Sequence, residues 1–269
     1  MIANLTPLTG ISRERKALGD HIGGTHRIFW AMASQTQASR QLADLQKYVV
    51  ACERCPRLVS HRAKVAREKR RAYRDCNYWG RPVPSFGDPG ARLLIIGLAP
   101  GAHGANRTGR MFTGDKSGNF LYPVLYEAGF ASQPESLGLN DGLRLRDAYI
   151  TAPVRCVPPD NRPTPAEFRN CQAYLEQELQ LLKNVRVIVA LGRLALAAYL
   201  GIQKTAGQIM TSGAYPFAHG ACYRLPGRLP ILLCSYHPSQ QNTQTGLLTK
   251  SMFLNVFQTA KSLIRAPGK

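Results

Sequence analysis

With 269 residues, 44% of them hydrophobic, the chain has ample length for a core in one large or two small domains. Charge is its outlying property: 35 Lys and Arg against 16 Asp and Glu give +19 at pH 7, which favours a polyanionic partner, nucleic acid first, over a generically basic surface. No apolar stretch approaches the roughly 18–20 residues that cross a bilayer, no basic amphipathic helix points to a membrane surface, and the first residues lack the layout of a secretory signal, so a cytoplasmic protein without a membrane partner is expected.

In chain order, residues 1–40 are mixed and polar, with Gly23-Gly24 and Ser34-Gln35-Thr36-Gln37 interrupting any long pattern. They read as a poorly ordered or loosely docked extension, leaving 41–269 as a single domain. A helix over 42–50 leads into Cys52-Glu53-Arg54-Cys55. Residues 57–74 read as a basic helix in which Arg62, Lys64, Arg67, Lys69, Arg70, Arg71 and Arg74 outnumber Glu68. Arg67 and Arg70 are its candidate phosphate contacts, the alternative being a solvated face. Residues 77–90, rich in Pro and Gly, read as an ordered loop.

Strands are expected over 93–97, 148–151, 187–191 and 231–235, and helices over 117–128, 164–182, 193–200 and 248–264. Thr164-Pro165-Ala166-Glu167 starts its helix with a capping hydroxyl, a proline in the first turn and a glutamate placed to reach back. The alternation predicts an α/β fold, a three-layer αβα sandwich around a four-stranded, mostly parallel sheet with right-handed crossovers.

Polar loops follow three of the four strands. The first, Gly97-Leu98-Ala99-Pro100-Gly101-Ala102-His103-Gly104, leaves little side chain in the way of a flat ligand. It continues through Asn106, Arg107, Arg110, Phe112 and Asp115. In a parallel sheet such loops share one edge, where ligands bind. Without a secretion signal, disulfides are not expected, and the seven cysteines call for metal ligation or burial.

Three ordered stretches carry a resemblance: Gly97 to Arg110, Val154-Arg155-Cys156-Val157-Pro158-Pro159, and His237-Pro238-Ser239-Gln240-Gln241-Asn242. Together they resemble the uracil-DNA glycosylase superfamily in its iron–sulfur, type-b branch (family 5), over a span from about Cys52 to Ile264. The resemblance implies a monofunctional DNA-repair glycosylase, active as a monomer. Such an enzyme flips uracil, and other deaminated bases such as hypoxanthine, out of DNA and hydrolyses the N-glycosidic bond, leaving an abasic site. A noncatalytic nucleic-acid-binding protein or a redox iron–sulfur protein is the alternative.

The chemistry fits. A base inside a duplex must leave the stack to be reached, and departing uracil is an anion whose O2 needs a positioned donor. His237 suits that task, and the resemblance implies that Phe112 stacks on the flipped base. Gly97, Leu98, Ala99, Gly101, His103, Asn106 and Ala152 are the remaining candidate walls of the base pocket. Ser239, Gln240 and Gln241 occupy the place of a minor-groove loop, and Arg107 and Arg110 are further candidate DNA contacts. Several relatives carry an acidic or amide residue where this chain has Leu98, and an Asn where it has Ala152. Asp115 is therefore the candidate base or electrostatic stabiliser, with capping of the following helix as its rival role; Asn106, Asn161 and Asn242 are further polar candidates.

Soft ligands in this number allow zinc or a [4Fe–4S] cluster. The resemblance selects the cluster on Cys52, Cys55, Cys156 and Cys171, in a structural and DNA-positioning role. Cys76 is the rival ligand; Cys222 and Cys234 read as small buried apolar residues.

Overall fold

The computed structural model describes residues 23–266, with side chains from residue 37 onward. The first helix, α1 (Gly23–Val50), extends the expected 42–50 helix toward the N-terminus and crosses position 40 without a break; residues 1–22 of the expected extension lie outside the described residues. α2 (Pro56–Glu68) starts on a proline, whose missing N–H costs nothing in a first turn. It ends six residues before the predicted boundary because Lys69 turns into the left-handed region, φ 52°, and a single 3₁₀ turn over Arg71–Tyr73 follows. That break takes Arg70 off the helix.

The core elements alternate: β1 (Phe86–Gly87), β2 (Leu93–Ile96), α3 (Ala105–Thr108), α4 (Lys116–Glu127), β3 (Ala148–Thr151), α5 (Pro165–Leu181), β4 (Val187–Leu191), α6 (Arg193–Thr205), β5 (Cys222–Tyr223), β6 (Ile231–Ser235), α7 (Gln240–Gln244) and α8 (Lys250–Arg265). The expected capping box on α5 is present, with Thr164 and Glu167 satisfying each other's backbone N–H groups. The sheet has six strands, in the order β1-β3-β2-β4-β6-β5, where four were expected. The four central strands pair in parallel as predicted. The additions, β1 and β5, are two-residue antiparallel edges, too short to leave any alternation in the sequence.

Every residue of β2, β3 and β4 is buried, the mark of strands covered on both faces. Alternate residues point opposite ways: Leu93, Ile95, Val187 and Val189 pack with α4 and α8, while Leu94, Ile96, Ile188 and Ala190 pack with α6 and with Leu42 of α1. This is the expected three-layer sandwich. From β2 the chain moves to β3 on one side and later to β4 on the other, so the order reverses at β2, and the loop after it opens at the crevice where α/β folds bind ligands. Among the described residues no helix is long and apolar enough to cross a membrane.

Candidate active site and cysteine centre

The loops after β2, β3 and β6 meet around one cavity of about 950 Å³ at the carboxyl edge of the sheet. Gly97, Leu98, Ala99, Gly101, His103, Phe112, Asp115, Ala152, His237, Ser239, Gln240, Gln241 and Asn242 all line it, as does Arg70, freed by the break in α2. The site predicted from three separated sequence stretches is therefore one place in the fold.

Its glycines are required by close approach. A Cβ on Gly97 would stand 2.9 Å from Cζ of Phe112, and one on Gly101 2.9 Å from Oδ2 of Asp115. On Gly104 a Cβ would overlap that carboxylate outright. The bare backbone thus makes a berth for a ring and a carboxylate. Phe112 holds a left-handed backbone, φ 52°, a strain that persists where the surroundings over-determine it, and its ring lies 5.8 Å from that of His237, centroid to centroid. His237 stands at the end of β6 beside Gly192, whose added Cβ would come within 3.5 Å of the histidine's own. Burial pulls the His237 imidazole down to about 4, so it is neutral at physiological pH and offers an N–H as a donor.

Asp115 caps the following helix and also lines the cavity. Its Oδ1 accepts the N–H of Gly118 at 2.9 Å as the N-cap of α4, while the same side chain faces the cavity. Burial raises its pKa above the ordinary aspartate value, against the lowering effect of the Gly118 and Ser117 N–H groups and the Arg107 charge. Asn242 donates its side-chain amide to the His237 carbonyl at 2.9 Å, and Ser239 caps α7. Both therefore brace the loop that carries the histidine. The Tyr78 hydroxyl lies 3.0 Å from Nδ1 of His103, and burial followed by the charges of Arg70 and Arg107 lowers the pKa of that histidine.

Two expectations are corrected. Arg110 is only 3% exposed: its guanidinium grips Asp141 at 2.5 and 2.9 Å, with Ser136 and Thr113 also in range. It braces the loop from within and cannot reach DNA. Asn106 is fully buried and turned away from the cavity, donating to the Arg62 carbonyl at 3.4 Å, because α3 packs that face against α2. Arg107 also folds inward, onto the carbonyls of His103 and Gly114 and over the Tyr73 ring at 4.1 Å. Arg67 stays exposed, away from the cavity, near Glu68.

The structure adds Tyr73, Asp160 and Arg162 to the cavity wall and places the candidate Asn161 beside them. Asp160 and Asn161 are consecutive left-handed residues, φ 54° and 55°. The available signal was their type: Asp and Asn between prolines are the side chains that tolerate such a turn.

A second, smaller void lies behind the β3 loop and is lined by Cys52, Cys55, Cys156 and Cys171 together. Cys76 is not among its walls. Arg62, buried in α2, donates to Cys156 Sγ and to the Cys52 carbonyl, both at 3.1 Å, and the Asn170 amide lies 3.5 Å from Cys55 Sγ. Among the described residues no group of three or more such ligands closes on a single-ion site; the four thiols surround a common void instead. Next to them, Arg155 and Glu178 form a fully buried ion pair at 2.5 Å, 1% and 0% exposed. Thr151 and Ser85 donate to the same carboxylate at 2.5 and 2.6 Å, and Gln46 of α1 joins at 2.9 Å.

Comparison with known proteins gives concordant results. A family model for the uracil DNA glycosylase superfamily matches residues 84–261. A type-5 uracil-DNA glycosylase of Thermus thermophilus is 58% identical over 218 residues, 80% of this chain and 94% of the relative. A type-5 uracil-DNA glycosylase of Mycobacterium tuberculosis is 49% identical over 82% of this chain and 81% of its own. A third, from Pyrobaculum aerophilum, is 43% identical over 81% of this chain and 91% of its own.

Proposed function

The chain belongs to the uracil-DNA glycosylase superfamily, and from that premise we propose that it flips uracil out of DNA and hydrolyses its N-glycosidic bond, leaving an abasic site. The observation that carries this reading is the convergence of Phe112, Asp115 and neutral His237 in one cavity at the sheet edge. Phe112 supplies a face on which the extruded base stacks. His237, unable to hold a proton as imidazolium at working pH, donates an N–H to uracil O2 as negative charge develops there. Asp115, as carboxylate, orients water and offsets the positive charge of the opening sugar. Ala152 leaves the base edge without a side-chain amide to enforce one pattern, which supports a range that includes hypoxanthine.

Cys52, Cys55, Cys156 and Cys171 fit a [4Fe–4S] cluster, since four soft ligands line one shared void. A buried guanidinium at Cys156 offsets the negative charge of thiolates there. A cluster so held cross-links the β3 loop and α5 to the segment between α1 and α2, a structural and DNA-positioning role. Every cysteine in the described residues is free, which supports a reducing, cytoplasmic setting, and we take the protein to act as a monomer. The deciding test is incubation with DNA containing uracil, hypoxanthine, xanthine or mismatched thymine, single- and double-stranded, followed by alkaline cleavage. Uracil release is expected; no strand cleavage on any substrate would overturn the reading.

A further inference from the structure

The four-cysteine void is lined by more than thiols. Two guanidiniums stand in its wall, and both are cut off from water: Arg62 is 5% and Arg155 1% exposed. Arginine is almost never so buried without a partner. Arg62 reaches the void from α2, where its Nη1 donates to Cys156 Sγ and to the Cys52 carbonyl. The nearest carboxylate, that of Glu53, lies 4.0 Å away on a side chain that is 77% exposed, so the Arg62 charge is left facing sulfur. Arg155 reaches the void from the loop after β3. Its terminal nitrogens are taken by Ser85, Thr151 and Glu178, and Glu178 cancels its charge. Its Nε has no partner. Among the described residues this is one of three buried side-chain polar atoms in that state. The other two, on Asn106 and Tyr199, belong to residues that do not line the void. The Arg155 backbone N–H bears on Cys171 as well.

A buried N–H without an acceptor is costly to keep, and here it belongs to a residue that shares a void with four cysteines and a second guanidinium. An anionic, sulfur-rich group is the acceptor that this lining lacks. We propose that Arg62 and Arg155 are positioning residues for the sulfur of a cluster held by Cys52, Cys55, Cys156 and Cys171, and that together they raise its reduction potential. Arg62 acts by charge and hydrogen bond. Arg155, neutralised by Glu178, acts by its Nε–H alone. The inference rests on the cluster reading above. The potential of such a cluster follows its surrounding charge and the hydrogen bonds to its sulfurs. Cationic donors favour the more negative, reduced state, so they make loss of an electron harder. A cluster whose task is to tie loops together is then kept from the oxidation that would dismantle it.

The test is voltammetry of the iron-loaded full chain, with iron counted per chain. The step read is the loss of one electron from the cluster to the electrode, with no ligand exchanged. Arg62→Met should lower the midpoint of this oxidation by ~59 mV, a tenfold shift in the equilibrium for one electron. Arg62→Lys, which keeps the charge, should restore most of it. Arg155→Met together with Glu178→Met removes the donor without stranding an ion and should lower the midpoint by less. A merely structural role would lower the unfolding midpoint of these variants and leave the potential where it was. Where Arg62→Met takes up no iron, Arg62→Gln, which keeps an N–H but loses the charge, gives the same comparison. A potential unmoved at full iron content, or failure of Arg62→Lys to take up iron, would overturn the inference and leave the cluster reading standing. An unsubstituted protein that holds no iron when prepared without oxygen, or holds zinc instead, would overturn both.

Discussion

On one side of the loop after β3, Ala152 faces an open cavity; on the other, Arg155 and Cys156 are packed among buried charges. The two sites share a loop but are built by opposite means. The base cavity is shaped by omission, since Gly97, Gly101 and Gly104 leave room for an aromatic ring and a carboxylate. The cysteine centre is shaped by paired charge, with Arg155 against Glu178 and Arg62 against Cys156. Damage should therefore show as lost chemistry on the first side and as lost stability on the second.

The largest expected effect lies on the charged side. Glu178→Ala strands Arg155 as a buried unpaired cation and should cost ~3–5 kcal/mol in denaturant unfolding of the full chain. A loss close to zero would mean that the pair is not part of the frame. On the cavity side, His237→Ala should lower single-turnover uracil release by about 10²–10³, the scale of removing one donor to a developing anion, with the unfolding midpoint unmoved. A falling midpoint would break the separation between the two regions.

The pH profile sharpens the same side. In the proposed mechanism release needs the Asp115 carboxylate, whose pKa is raised chiefly by burial. Activity is thus lost as pH falls through that raised value, and Asp115→Asn should lower the rate and remove the limb. Burial keeps His237 neutral down to about 4, so a limb well above that value surviving in the variant would overturn the assignment to Asp115. Gly97→Ala should do less. The clash is with the far end of the Phe112 ring, which can tilt, so we expect a rise in KM of about tenfold or less, equivalent to ~1.4 kcal/mol of weakened binding. Smallest is the effect on salt dependence. Arg70→Ala should shallow the slope of log K against log salt by about 0.9, one phosphate contact, while Arg67→Ala, away from the cavity, should leave it unchanged.

The comparison also separates what the sequence could disclose. The four central strands declare themselves as apolar runs closed by Gly, Pro or a polar turn, and the cavity loops follow from where those runs stop. The edge strands β1 and β5 are fixed by their neighbours and carry no periodicity of their own. The burial of Arg110 and Asn106 was hidden for a related reason. An arginine in a glycine-rich loop of a basic protein looks like a phosphate contact until Asp141, far along the chain, is seen to hold it. Likewise the stop in α2 depends on one left-handed lysine, which no helix propensity announces. Asp115 shows the converse: capping the helix and facing the cavity looked like alternatives in sequence, and the fold lets one side chain do both.

The glycine berth has a consequence for how the base range of such an enzyme can drift. A methyl group on Gly104 overlaps the Asp115 carboxylate down to its Cβ, whereas one on Gly97 meets only the far end of the Phe112 ring, so Gly104 is the position on that wall least open to substitution. Leu98 and Ala152 already carry side chains at the cavity surface. New substrate preferences are then acquired most readily at positions such as these, while Gly104 stays a fixed point against which the rest of the pocket varies.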